Sequence, residues 1–421
     1  MEARMSAQEN NHPSYSAISF ALFLTALYSF FYFTLSIKPL SDDATFLTAA
    51  TSGVSPLQYL SERYHTWTGR IAIEGIMFTT IATSVFWKLA IPTCLLLIAY
   101  STWKSFFAGR LNYAIGIPLC LFSTLTINHT ILDASIFYVS GFYNYLLPAS
   151  CGLFASAIFI RPSAFMPLEK ILATPLAFIA SQSEQVGLAL VIVFSASLIW
   201  ESRNERTYRM MMFLIVAIGF TLLLTAPGNY ARLQTEIMYM PEFSDYSFLR
   251  KLLTGFDVFN AHYIDPANLY PKAIAALLFL LTMGKNFELK YTALAFAIGG
   301  ILQGSIFSHL FTISDTTEYS IRTLNAGLGL EYFFSYTLSI TSLTSIIYIL
   351  KRAMNDCSKF YFTTLLLLLH IGITTIIGLS PTAYESGYRA LFVGDIISLM
   401  LICVLLRSIT GWPMRSYPTE L

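Results

Sequence analysis

Two adjacent carboxylates, Asp42 and Asp43, follow Ser41 directly after Lys38-Pro39, at the end of the first long apolar run. At a membrane boundary such a pair is costly unless it is hydrated, bound or used. An aspartate there can take a proton from a hydroxyl, and two together have the chemistry to hold a hard divalent cation. A plain structural role fits equally well, with Asp42 capping a short helix that begins at Asp43-Ala44.

Three further clusters stand at comparable boundaries. Tyr64-His65-Thr66-Trp67-Thr68-Gly69-Arg70 combines aromatic rings, a backbone-permissive glycine and a guanidinium suited to bidentate phosphate binding. Ser140-Gly141-Phe142-Tyr143-Asn144-Tyr145-Leu146-Leu147-Pro148 offers rings that can stack on sugar C–H faces and an amide that can bond hydroxyls. Ala226-Pro227-Gly228-Asn229-Tyr230-Ala231-Arg232 ends one apolar run and places Asn229 and Arg232 at headgroup level. Glu184, flanked by Gln182 and Gln185 between two short apolar runs, is a site candidate because a carboxylate there must be met by something. Arg322 and Arg389 begin later runs, where they either snorkel or hold a lipid phosphate. For each cluster the bland reading is interface anchoring by tyrosine and tryptophan, or a Gly/Pro turn.

These residues need apolar elements to position them, and composition supplies little else. The 421-residue chain is 55% hydrophobic and 12% charged, with mean hydropathy +0.61, whereas a soluble domain carries about 25% charged residues. So few charges cannot cover a soluble surface. Runs of roughly spanning length recur at 17–37, 71–103, 111–131, 145–160, 167–181, 186–200, 209–225, 271–284, 291–308, 327–350, 360–380 and 388–406. The expected fold is an all-α integral membrane bundle of eleven to thirteen transmembrane helices, one domain over 1–421, with short outer-face helices. The longest outer loops are expected at 38–70 and 226–270. The run 71–103, interrupted by Trp87, Lys88 and Pro92, is taken as one crossing, with an interfacial helix joined to a span or two short spans as its other readings.

With the N-terminus inside, the loops bearing Lys104/Arg110, Arg161/Lys170, Arg203/Arg206/Arg209, Lys285/Lys290 and Lys351/Arg352/Lys359 all fall on the cytoplasmic side, as do Arg407 and Arg415. This satisfies the positive-inside rule and puts the four clusters on the opposite face. The first run is too long for a signal-peptide core and reads as a retained helix. The net charge of +1 and the lack of any Lys/Arg block argue against nucleic acid. Dispersed histidines and cysteines give no metal spacing.

In order along the chain, Ser41-Asp42-Asp43, Trp67-Thr68-Gly69-Arg70, Ser140 to Pro148 and Ala226-Pro227-Gly228-Asn229-Tyr230-x-Arg232 resemble the motifs of bacterial polytopic glycosyltransferases of the GT-C type. The series is most similar to the serotype-converting O-antigen glucosyltransferases of enteric bacteria and their phages. The likeness covers the first 235 residues in motif order; beyond them only hydropathy and loop placement agree, and Phe142-Tyr143 departs from the small or aliphatic residue expected. The resemblance implies an inner-membrane enzyme with a periplasmic site and cytoplasmic termini. A hexose, glucose in those relatives, would pass from a polyprenyl-phosphate donor to a lipid-linked glycan among membrane lipids, by inverting displacement and with no organic cofactor. It further implies Asp42 or Asp43 as general base, outer arginines (Arg70, Arg232, Arg322, Arg389) around the leaving phosphate, and Trp67, Tyr143, Asn144, Glu184 and Asn229 around the substrates. A transporter or flippase for a lipid-linked sugar is the competing reading, since intramembrane polar residues and broken helices also mark transport paths.

Overall fold

The structure is a computed structural model that describes residues 12–39, 41–200, 205–283, 288, 290, 330–354 and 356–410. The expected span 291–308 and Arg322 lie outside the described residues. Among those described, every regular element is helical: α1 (His12–Thr34), α2 (Asp42–Thr51), α3 (Pro56–Thr66), α4 (Ile71–Thr80), α5 (Ser84–Phe106), α6 (Tyr113–Thr124), α7 (His129–Ser135), α8 (Val139–Ile160), α9 (Pro167–Ser181), α10 (Glu184–Trp200), α11 (Arg206–Leu224), α12 (Pro227–Glu236), α13 (Phe248–Ile264), α14 (Leu269–Thr282), α15 (Leu330–Ala353), α16 (Cys357–Thr375) and α17 (Phe392–Thr410).

Seven of these, α1, α5, α8, α11, α15, α16 and α17, are long and apolar enough to cross a membrane. Two bent pairs, α6 with α7 at 99° and α13 with α14 at 68°, raise the number to nine if each pair is one span. The chain is a polytopic helical membrane protein. Among the described residues the spans number seven to nine, against eleven to thirteen expected of the whole chain, because 291–308 lies outside them and several apolar runs make short helices. α9 has 15 residues and α10 has 17; at 1.5 Å per residue they rise only ~22 and ~26 Å against a hydrocarbon core of ~30 Å. The run 71–103 divides after Thr80 into α4, too short to span, and α5; the Trp87 indole N–H donates to the Ile81 carbonyl (3.0 Å) and closes the break.

α8 is locally underwound. Pro148 cannot donate to a carbonyl one turn back, and the preceding residues Phe142–Leu146 widen into a π-turn with Leu147 N–H bonded to Phe142 O.

The expected outer loop 226–270 also needs correction. Its second half is α13, much of which is buried against α15, α16 and α17. Its polar residues are met inside the bundle: Asp257 accepts from the hydroxyls of Tyr336 and Tyr384, Asn260 bonds Ser335 (3.0 Å) and Ser339, and Tyr263 pairs with Ser342 (2.6 Å). Buried polar groups are tolerable only when partnered, so these contacts hold α13 in the bundle.

Gly255 of α13 meets the turn after α16 backbone to backbone. A methyl group there would overlap the Thr375 carbonyl, whereas one on Gly372 would meet nothing. Gly255→Ala is therefore expected to destabilise the protein by about 1–3 kcal/mol, as overpacking does. It should lower the unfolding temperature in detergent by several degrees, with Gly372→Ala unchanged or slightly stabilised; equal melting of the two variants would refute the close approach.

Candidate functional site

The sequence clusters converge. Ser41 caps α2, its hydroxyl accepting from Asp43 N–H (3.3 Å), so the helix begins at Asp42, one residue earlier than the capping reading expects. Both aspartates occupy the first turn, where the helix dipole favours them. Their surroundings differ sharply. Asp43 is fully buried: Oδ1 accepts from the backbone N–H (2.7 Å) and hydroxyl (2.6 Å) of Ser140, and Oδ2 from Lys38 N–H (3.3 Å). It is a tether between α2 and α8 and is closed to an acceptor hydroxyl. Asp42 is 59% exposed at its side chain, with Arg389 3.5 Å away; its backbone N–H donates to the Tyr138 phenol (3.0 Å). Burial, with Asp42 beside it, pushes that phenol up to about 12, so Tyr138 stays protonated at neutral pH.

From Ser140 the chain of bonds continues. The Asn144 amide donates to the Ser140 carbonyl (2.9 Å) and accepts from Arg70 (2.9 Å), and Arg70 in turn grips Glu184 through Nε and Nη2 (2.9 and 2.6 Å). Burial works against the charge of Arg70, but Glu184 more than offsets it, so the guanidinium is held charged more firmly than a free arginine. Asp43, Ser140, Asn144, Arg70 and Glu184, drawn from three expected clusters and the isolated glutamate, thus form one continuous polar line.

The fourth cluster joins through the backbone. Asn229 accepts from Gly69 N–H (3.3 Å) and donates to Leu223 O (2.6 Å), while Gly228 packs against the backbone of Trp67 and Thr68. Side chains on Gly69 or Gly228 would collide with these backbones. The amide of Asn229 is thereby committed to scaffolding, contrary to a sugar-bonding role. Tyr143 is likewise not placed to stack on a sugar: it is fully buried against Phe142, its hydroxyl paired with Thr80 (2.7 Å). Tyr145 is half-buried and lies within electrostatic range of both Arg70 and Arg389. Arg232 lies near Glu184 and pairs with Glu236 (3.3 Å). Trp67 is partly buried beneath the Arg63 guanidinium (5.4 Å).

Two pairs were missed from sequence. Arg63 makes a bidentate bond with Glu74 (2.6 and 2.7 Å), which is almost entirely buried and ties α3 to α4. A carboxylate three residues into an apolar run was the available signal. His262 and Asp395 meet at 2.7 Å deep in the bundle, with Asn268 on the same imidazole nitrogen (3.1 Å); Asp395 lies within an apolar run, but its partner is 133 residues away. Among the described residues no group of three His, Cys, Asp or Glu side chains is placed to hold a metal ion.

No family model, curated protein or solved structure matches the chain.

The two aspartates should respond differently to the same change. Asp43→Asn turns an amide N–H onto Lys38 N–H or Ser140 and is expected to cost about 1–3 kcal/mol. Asp42→Asn loses a helix-dipole contact of about 0.3–1 kcal/mol and a long, exposed pairing with Arg389 that adds little. Thermal melts of the purified variants test this, and a larger loss at Asp42 would contradict the burial described.

Proposed function

We propose that the chain is a membrane glycosyltransferase, carrying a hexose from a polyprenyl-phosphate donor to a lipid-linked O-antigen or related surface glycan on the periplasmic face of a bacterial inner membrane. The observation that carries this reading is the convergence of the motifs on one boundary. There the exposed Asp42 carboxylate stands beside Arg389, and both Arg389 and Arg70 lie within electrostatic range of Tyr145. The order of the same motifs in the sequence supports it independently.

In this reaction Asp42 accepts the proton of an acceptor hydroxyl as its oxygen attacks C1 of the donor sugar. The C1–O bond to phosphate breaks, its electron pair leaves with polyprenyl phosphate, and the configuration at C1 inverts. Arg389 and Arg70 meet the charge that grows on the leaving phosphate. Arg389 is anchored through Nε to Ser386 O (3.2 Å) and reaches Asp42 at 3.5 Å through Nη1, so a phosphate can draw Nη1 away and free the base. A site at the boundary suits a donor whose tail stays in lipid. Asp43, Asn144, Glu184 and Asn229 act by holding Arg70 and the Trp67–Arg70 turn in place.

One observation favours the competing reading of lipid-linked sugar transport: the buried His262–Asp395 pair, of the kind that marks ion and substrate paths. The two readings part in one experiment. Mass spectrometry of lipopolysaccharide from cells expressing the protein should show added hexose, reduced about 10²–10⁴-fold by Asp42→Asn at unchanged membrane abundance. Arg389→Ala should lower donor use at unchanged acceptor affinity. Normal glycan from Asp42→Asn would remove the base assignment, and liposomes that translocate the lipid-linked sugar without ever joining it to an acceptor would replace transfer by transport.

A further inference from the structure

A cavity of about 310 Å³ runs inside the bundle between α8, α10, α16 and α17, at the small end of the range for ligand sites. Its wall is mostly apolar, including Leu153, Leu190, Leu366, Ile397 and Met400, with Ser156 and Ser197 also on it. Water fills such a space poorly, because it finds few partners, and an empty one forfeits dispersion contacts all round.

Its two ends differ. Towards the candidate site the Gln185 amide donates to Ile373 O (3.1 Å) and Ala390 O (2.9 Å), a crosslink that ties α10 to α16 and to the segment leading into α17, next to the lining residues Val186 and Val393. At the other end Arg161, Lys359 and Arg407 line the opening, with the hydroxyls of Ser105, Ser358 and Ser408. Arg161 and Arg407 both point a guanidinium N–H at the same carbonyl, Ser105 O (3.4 and 3.5 Å). The one carboxylate among the lining residues, Asp356, caps α16 and pairs loosely with Lys359 (3.9 Å). Three cations and three hydroxyls around the mouth of an apolar slot complement a phosphate carrying a hydrocarbon chain.

We infer that this cavity is a lipid site, holding one acyl chain of an anionic phospholipid with its phosphate at Arg161, Arg407 and Lys359. The occupant comes from the leaflet at that end, which the positive-inside rule assigns to the cytoplasmic, anionic surface. It is distinct from any donor at the opposite boundary, because the Gln185 crosslink separates the slot from Arg70 and Glu184. The site depends only on the helical membrane architecture and stands whether the protein transfers or transports.

Native mass spectrometry of the full chain released from phosphatidylglycerol-containing nanodiscs tests it. The wild-type protein should retain one phosphatidylglycerol, and the double variant Arg161→Gln/Arg407→Gln should retain at least tenfold less at unchanged melting temperature in detergent. Ala189→Phe, which fills the slot while leaving the cations, should show the same loss and reads the proposal even if the double variant fails to fold. Unchanged retention in the folded variants overturns the site. So does a polyprenyl phosphate as the retained lipid, or inorganic phosphate stabilising the protein as much as phosphatidylglycerol does.

Discussion

A carboxylate shut away from water must be met on every side, and the organisation of this end of the bundle follows from how Asp43 is met. Its partners are the backbone and hydroxyl of Ser140 and the backbone of Lys38. Ser140 stands just before the widened turn of α8, so the tether fixes where that turn presents Asn144, and Asn144 fixes Arg70. Arg70 then requires Glu184, because a guanidinium this enclosed keeps its charge only beside an opposite one. Removing any member would leave a buried group without its partner, so α2, α4, α8 and α10 have little freedom to shift relative to one another at this end.

A second polar layer holds the other half of the bundle. α13 carries Asp257, Asn260 and His262 inward, and each is answered from α15, α17 or the segment before α17. The two layers solve the same problem differently: the first is a line of charge-assisted bonds near the boundary, the second a set of hydroxyl, amide and imidazole contacts inside. Hydrocarbon packing alone cannot choose among helix arrangements, since lipid tails and leucines are equally apolar; polar matching of this kind can.

Rigid backing leaves a few groups uncommitted, and these are the ones with chemical latitude. Asp42 has a long contact to Arg389, Tyr145 is half-buried within electrostatic range of Arg70 and Arg389, and Tyr138 fixes the Asp42 backbone while the Asp42 side chain stays exposed. A base and a phosphate clamp need both properties at once, a fixed position and an unspent bond. That division of labour between Asp42 and its neighbour is the physical core of the glycosyl-transfer proposal.

Composition and apolar run length were enough to determine that this chain lives in a membrane as an all-helical bundle, because a low charge density and repeated runs of spanning length leave no other solution. The motif residues were also legible, since Gly, Pro, Asp, Arg and aromatic clusters interrupt those runs conspicuously. Their roles were not. Nothing in Ser41-Asp42-Asp43 says which aspartate turns inward; that depends on Ser140, 97 residues away. Asn229 and Tyr143 look like ligand contacts in sequence and serve the scaffold, because their polar atoms are taken by Gly69, Leu223 and Thr80. Arg63 with Glu74 and His262 with Asp395 became pairs only when helices packed. Hydropathy is a local sum that a sequence carries in full, whereas whether a polar atom is already spent depends on what the fold brings within 3 Å of it.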